Sequence, residues 1–341
     1  MAKYNIASGA AEAKQIWDEE LFRDVVKESF FMSRFADESG NNAVHVKRDF
    51  TKTKGETKTF TLRMRLNQPF IVDGQSEGNE YSISTYTNTI TLHKYRLPIR
   101  DNGELTRMRP PWNVTDEQRA AVQECATENL DQLCFDAVAL SPTRVFYSTD
   151  GATPLSTATA ATAKTALTTN SLIFPKLVSY VKTAAKTGIG RTYVPIRPIK
   201  VDGKDYYIMV VHPDCLYDLM NNTTFQTAMR EALERGKDNP IFAGAKAITS
   251  DGVIIHESEF VATGTDAGAG SNVPWAKCVF FGAQALLFEW GRTPTLVTKD
   301  FDYEDQIGMD WSFIGACKKP VFNSLDFGSF GVYLARTNIS G

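Results

Sequence analysis

The chain has 341 residues, with Lys plus Arg at 37 against Asp plus Glu at 40, a formal charge of −3. Hydrophobic residues make up 43% and charged residues 23%, globular proportions that exclude wholesale disorder and collagen-like repeats. The length admits one large domain or two to three smaller ones with a sizeable core, and the near-zero charge excludes a nucleic-acid binder whose whole surface is basic.

Residues 10–35 read as a helix in which Ile16, Trp17, Leu21, Val25 and Phe30 recur at roughly helical spacing, with Phe31, Met32 and Phe35 adding apolar bulk. So much apolar surface near one end either docks on its own core or lies along a neighbouring subunit. The expectation carried forward is that Trp17, Leu21, Val25 and Phe30 bury against another subunit.

Residues 57–66 alternate cleanly, with Phe60, Leu62, Met64 and Leu66 on one face and Thr59, Thr61, Arg63 and Arg65 on the other. Residues 83–97, rich in Thr, Ile and Tyr, read as the returning strand of a long hairpin. The tip between them carries Phe70, Ile71 and Val72 beside Asp73, Glu77 and Glu80, and residues 67–85 hold no Lys or Arg. The preceding stretch is basic, with Lys47, Arg48, Lys52, Lys54, Lys58, Arg63 and Arg65. A two-stranded hairpin is marginal alone in water, so this one must pack on something. An acidic tip and a basic stem are complementary between copies of one chain.

After Pro110 and Pro111, Thr115 to Gln118 has the form of a capping box, and a long helix is expected to about Leu140. Ala121, Val122, Cys125, Ala126, Leu130, Leu133, Cys134, Ala137 and Val138 line its apolar side, and Glu124, Glu128, Asp131 and Gln132 are assigned to the exposed side. Residues 149–170, dominated by Thr and Ala, read as a loop or linker, and 171–186 as a helix with Pro175 in its first turn. Asp202-Gly203 centres a hairpin, 212–220 turns from strand end into helix, and 223–235 is helical up to Gly236. The remainder is mostly strand, with 263–274 as a flexible loop. The order gives an α+β layout rather than alternating βαβ units.

No complete catalytic constellation emerges. His45 and His93 sit in strand-like, basic surroundings; His212 beside Asp214 and Cys215, and His256 beside Glu257, lack the spacing of a nucleophilic or metal site. Asp300, Asp302, Glu304, Asp305 and Asp310 partly match a calcium loop but lack its terminal bidentate Glu, and a solvated strand connection is the simpler reading. The glycine-rich 264–272 does not follow the phosphate-binding pattern, and neither a Walker A sequence nor a nucleophile elbow occurs. Cys125, Cys134, Cys215, Cys278 and Cys317 form no CxxC pair and read as buried thiols in a reducing compartment. No apolar run approaches ~18 residues, so no membrane partner is expected, and the chain is read as soluble and intracellular when made. No cofactor, metal or catalytic residue is assigned.

The element order, with the phrases VVHPDCLYDL, NPIFAGA, DGVIIHESEFV, VFFGAQALLFEW and DFGSFGVYLA, resembles the major capsid proteins of tailed bacteriophages, and most closely the N4-type family. That resemblance implies the HK97-like fold, with an N-terminal arm over 1–48 and an E-loop hairpin over 49–100. It implies a peripheral domain with its spine helix over 101–149, an axial domain over 150–285, and strands over 286–341 returning to the peripheral domain. It implies hexamers and pentamers closing an icosahedral shell around double-stranded DNA held without sequence readout. Expected partners are a separate scaffolding protein, a portal and decoration proteins, with assembly in the host cytoplasm and final residence in the virion. Some relatives fuse subunits through an E-loop Lys; here the tip has none, so no covalent cross-link is expected. The competing readings are an encapsulin-like cargo shell and a metal-dependent enzyme using the 299–310 acids or His212 and His256.

Overall fold

The computed structural model describes Val25 and residues 28–48, 55–63, 70–149, 160–191, 194–201, 203–231, 247–248, 252–303 and 305–338. The elements run α1 (Phe30–Arg34), β1 (Ala36–Asp37), β2 (Val44–Lys47), β3 (Thr57–Arg63), β4 (Thr85–Thr91), β5 (His93–Arg100), α2 (Glu104–Met108), α3 (Val114–Ala139), β6 (Val145–Tyr147), α4 (Ala160–Thr165), α5 (Pro175–Arg191) and β7 (Ile199–Val201). They continue with β8 (Lys204–Val211), α6 (Pro213–Met220), α7 (Thr223–Glu231), β9 (Ala247–Ile248), β10 (Val253–Glu257), β11 (Thr263–Ala267), β12 (Val273–Phe281), β13 (Leu286–Phe301), β14 (Gln306–Lys318), β15 (Val321–Phe322), β16 (Leu325–Asp326) and β17 (Ser329–Ala335).

Two sheets organise the molecule. The first has the order β1-β2-β13-β14-β5. Its long central ribbon, β13 against β14, pairs out to Phe301↔Gln306, and Asp302 and Tyr303, which begin the connection, both have positive φ. Helix α3 lies on this sheet: Leu130, Cys134 and Val138 share one core with Trp311 and Phe313 of β14. The second sheet runs β6-β17-β12-β8-β10-β9, with β11 on β12 and β7 on β8. Its centre pairs β8 with β10 in parallel. Tyr206 to Val211 and Val253 to His256 are buried throughout, so these strands read as unbroken apolar runs because both their faces are covered. Helix α5 adds Leu177, Val181 and Ala185 to that core. The sheets are not sequential halves: β6 and β17 pair with each other in the second sheet, although β5 precedes β6 and β13 and β14 precede β17 in the first.

Several expectations are corrected by packing. The helix expected over 10–35 is not continuous, because Ser29 leaves helical geometry and caps α1 through its side chain and the Met32 N–H. Residues before Val25 lie outside the described residues, and so does the end of the 223–235 helix, which is described to Glu231. The spine helix starts one residue early, capped by Asn113 rather than by the Thr115–Gln118 box. Asp131, assigned to the exposed side, is buried, and Phe135 joins the apolar side. The returning strand over 83–97 is two strands: β4 pairs with β3, and after Leu92 the chain crosses to pair with β14 as β5. Residues 263–267 form β11 rather than a loop, and 160–165 within the expected linker form α4.

Candidate functional site: the assembly surfaces

The hairpin is a sheet of its own. β3 and β4 pair from Thr57↔Thr91 to Arg63↔Thr85, and among the described residues no third strand pairs with them. The alternation expected from the sequence is present: Lys58, Phe60 and Leu62 are half-covered while Thr57, Thr59, Thr61 and Arg63 face solvent. Met64 and Leu66 lie outside the described residues.

The foot of the hairpin is tied down. Ile90 forms a small satellite core with Leu287 and Ala316, against which Phe60 and Leu92 pack. Phe60 meets Phe322 edge-to-face at 6.0 Å between centroids. The Asn88 side-chain amide donates to the Val321 carbonyl at 3.1 Å, and the Lys318 ammonium to the Thr89 carbonyl at 2.5 Å. Lys58 of β3 reaches the fully buried carboxylate of Glu289 in β13 at 3.4 Å. A carboxylate buried inside the apolar run Leu286–Trp290 is tolerable only with such partners.

Beyond the foot, the tip projects. Phe70 is 98% exposed and Val72 80%, and Ile71, Tyr81 and Ile83 are also exposed. Asp73, Glu77 and Glu80 are exposed beside them. The tip is held in shape from within: the Gly78 N–H donates to Glu80 at 3.0 Å, and the Asn79 side chain to the Gln75 carbonyl at 2.8 Å. Asp73 has a φ of 53°. An exposed cluster of aromatic and branched residues rimmed by carboxylates, on an internally tied loop, is a surface suited to a partner.

The arm root behaves differently. Val25 is 1% exposed and belongs to the main core, so it is not available to a neighbour, correcting the expectation for that residue. Phe30 is half-buried on the same core, with its ring 6.1 Å from Phe135 and 5.8 Å from His256, so it too packs on its own chain. Trp17 and Leu21 lie outside the described residues. The root is tied to α3 through Asp131, whose carboxylate accepts from the Ser29 hydroxyl at 2.7 Å, the Phe30 N–H at 2.8 Å and the Phe31 N–H at 3.1 Å. Burial holds this carboxyl above its ordinary range against the pull of those three donors. Sequence reasoning missed both Asp131 and Glu289. The signal available was an acid placed among apolar neighbours, at Asp131 beside Leu130 and at Glu289 between Phe288 and Trp290.

The residues weighed for chemistry have local duties. His212 caps α6 by accepting from the Asp214 N–H at 3.2 Å, and burial lowers its pKa, with Asp214 opposing that fall. Asp214 pairs with Arg336, and Asp218 accepts from Thr337, which ties the segment after β17 to α6. His256 is buried, with Phe35 edge-on at 5.1 Å. Asp305 accepts from the Glu104 N–H at 2.9 Å, at the start of α2. Asp310 faces Arg96 at 3.9 Å. Glu304 lies outside the described residues. Among the described residues no three His, Cys, Asp or Glu side chains group as metal ligands, and no helix is long and apolar enough to cross a membrane.

Comparison with known proteins agrees with this geometry. The phage capsid protein family matches residues 5–334. The major capsid protein of Pseudomonas phage KPP25 is 27% identical over 369 residues, spanning 97% of each chain. The capsid of Ralstonia phage GP4 superposes over 100% of both chains with a TM-score of 0.78 at 24% identity. The Cyanophage Pam1 capsid covers 92% of this chain and 93% of its own, with a TM-score of 0.74 at 20% identity. These relatives are phage capsids rather than encapsulins or enzymes, and the α+β fold is the HK97-like one. With the family matched over nearly its whole length and a capsid relative spanning 97% of it, the chain belongs to the phage capsid protein family and is a subunit of a self-assembled virion shell.

Proposed function

We infer that the chain is the major capsid subunit, built into hexamers and pentamers of an icosahedral shell around double-stranded DNA, and that it carries no catalytic activity. The observation that carries this reading is the β3–β4 hairpin, tied at its foot and exposed at its tip. In a lone subunit such a tip is a liability; in a closed symmetric array it is an interface. Phe70, Ile71 and Val72 supply apolar contact with the next subunit, and Asp73, Glu77 and Glu80 set register and encounter rate. Trp17 and Leu21 serve the same end from the arm, while Val25 and Phe30 anchor its root.

In this reading the hairpin within 49–100 is the E-loop, and the first sheet with α3 is the peripheral domain. The second sheet is the axial domain, to which β6 and β17 are added on the strength of their pairing. A separate scaffolding protein, a portal and decoration proteins complete the particle, which is assembled in the host cytoplasm. A net charge of −3 suits DNA confined inside without base readout. Electron microscopy of the purified protein tests the proposal: shells or capsomer rings are the expected result, and uniform small particles at all concentrations overturn it.

A further inference from the structure

Four of the five cysteines, scattered in sequence, come together as two pairs in space. Cys134 of α3 and Cys317 of β14, 183 residues apart, bring their Sγ atoms to 3.8 Å. Cys215 of α6 and Cys278 of β12 also interact, and both are fully buried. The two pairs differ in access. Cys134 is buried but Cys317 is partly exposed. Beside the Cys134–Cys317 pair, α3 and the first sheet enclose a groove of about 300 Å³ lined by Tyr95, Leu97, Leu130, Leu133, Trp311 and Phe313. Tyr95 lines this groove and interacts with both thiols.

We propose that Cys134 and Cys317 form an oxidation site, at which a peroxide converts the thiol pair into a disulfide joining the spine helix to the long ribbon. Cys317 is the first to react, because it is the accessible member and because the Cys317 contact and burial push the Cys134 thiol up, out of its nucleophilic form. The Cys317 sulfur attacks one peroxide oxygen and the O–O bond breaks. The departing hydroxide takes the thiol proton as water, and Cys317 is left as the sulfenic acid. The Cys134 sulfur then attacks Cys317 Sγ and the S–O bond breaks. The second hydroxide takes the Cys134 proton, so two thiols and one peroxide give one disulfide and two waters. A disulfide needs sulfurs about 2.05 Å apart, so the side chains must close the remaining distance by turning about their Cα–Cβ bonds.

The use of the bond rests on the shell reading. A subunit made in a reducing cytoplasm keeps both thiols, and a released particle meets oxidants that no thiol pool reverses. Both cysteines belong to one packed unit, so the bond leaves movement between subunits free.

Purified protein treated with a few equivalents of hydrogen peroxide, then denatured and assayed for thiols, should fall from five free cysteines to three. Peptide mapping should recover one linked pair, Cys134 with Cys317. Cys134→Ser should instead accumulate the Cys317 sulfenic acid, trapped by a 1,3-dione, and Cys317→Ser should leave Cys134 reduced. A count that stays at five, a linkage between other cysteines, or loss of Cys215 and Cys278 at the same rate would overturn the proposal. The link is read whether or not shells form, and micrographs of the same sample read the shell separately.

Discussion

Phe30 to Phe35 and Phe70 to Val72 are both short aromatic stretches close to a strand, and they end in opposite surroundings. Phe31 and Phe35 are fully buried; Phe70 is 98% exposed. Apolar content does not separate them. What separates them is a prepared site in the same chain. Asp131 on α3 satisfies Ser29 and the first N–H groups of α1, and Phe135 four residues along the helix meets the Phe31 ring at 4.7 Å. At the tip, Gly78 and Asn79 bond to Glu80 and Gln75 of the same loop, and Phe70 and Val72 stay exposed. An apolar segment that meets a buried carboxylate and an aromatic ring of its own chain is drawn into the body, as the arm root is.

The sharpest way to break this contrast is at Phe31. Phe31→Ala removes a ring held by Phe30, Phe35 and Phe135, and large-to-small changes of this kind cost about 3–5 kcal/mol. Urea unfolding of the free subunit should show that loss, and a loss near zero would mean the arm root is not part of the body. Phe70→Ala, by contrast, should leave the subunit within about 0.5 kcal/mol of the parent.

Asp131→Asn comes next, at about 1.5–3 kcal/mol for a bond to a charged acceptor, with a pH signature. The folded carboxyl sits above its ordinary pKa, so the fold binds the proton more tightly than the unfolded chain does. Its stabilising contribution is therefore full below the unfolded value near 3.8 and is lost as pH rises through the folded value. The parent's advantage over Asp131→Asn should be larger at pH 4 than at pH 7. An advantage that grows toward neutrality would show that the three donors outweigh burial.

How much of this was legible depends on whether a signal is local. The β3 alternation over 57–63, the pairing of β7 with β8 and most of the apolar stripe of α3 all reside in neighbouring residues, and they appear where expected. The break at Leu92 does not: no turn residue divides the Thr-rich β4 from the basic β5, and they separate because β5 finds β14, over 200 residues later. The polar segment 263–267 becomes a strand because β12 offers an edge, although its own residues favour a loop. The exposed tip at Phe70 was expected from its place between two strands, whereas the packing of Phe30 on its own core was invisible, since it turns on whether distant residues such as Phe135 and His256 come to meet it. The two buried acids were the missed clue, because a carboxylate inside an apolar run demands a partner.

At the hairpin foot, Lys58→Met keeps the aliphatic stem and removes the ammonium from Glu289. Lys58 is a quarter exposed at its side chain, so screening keeps the effect on global stability near about 1 kcal/mol. The local effect should be larger. Hydrogen exchange in β3 and β4 should quicken several-fold while β13 and β14 hold their protection. Uniform quickening across both regions would mean that the foot is part of the main core and the hairpin is not a separate unit.

The smallest expected effect on the subunit is also the most informative about the shell. Replacing residues 67–85 by an Asn-Gly turn removes Phe70, Ile71, Val72 and all three tip acids, yet touches none of the foot contacts at Phe60, Asn88, Thr89 and Ile90. Subunit stability should change by no more than about 0.5 kcal/mol. Assembly should fail, because the apolar contact that each tip offers its neighbour is worth about 1.5–3 kcal/mol per buried side chain, whereas each partly exposed charge adds only about 0–1 kcal/mol. Reversing Asp73, Glu77 and Glu80 to Lys separates the two terms. It should slow assembly at low salt and matter little at high salt, where exposed charges are screened beyond about 3–10 Å. If the shortened subunit still closes into shells at the parent's rate, the tip is not an interface, and its exposure has no bearing on the neighbour.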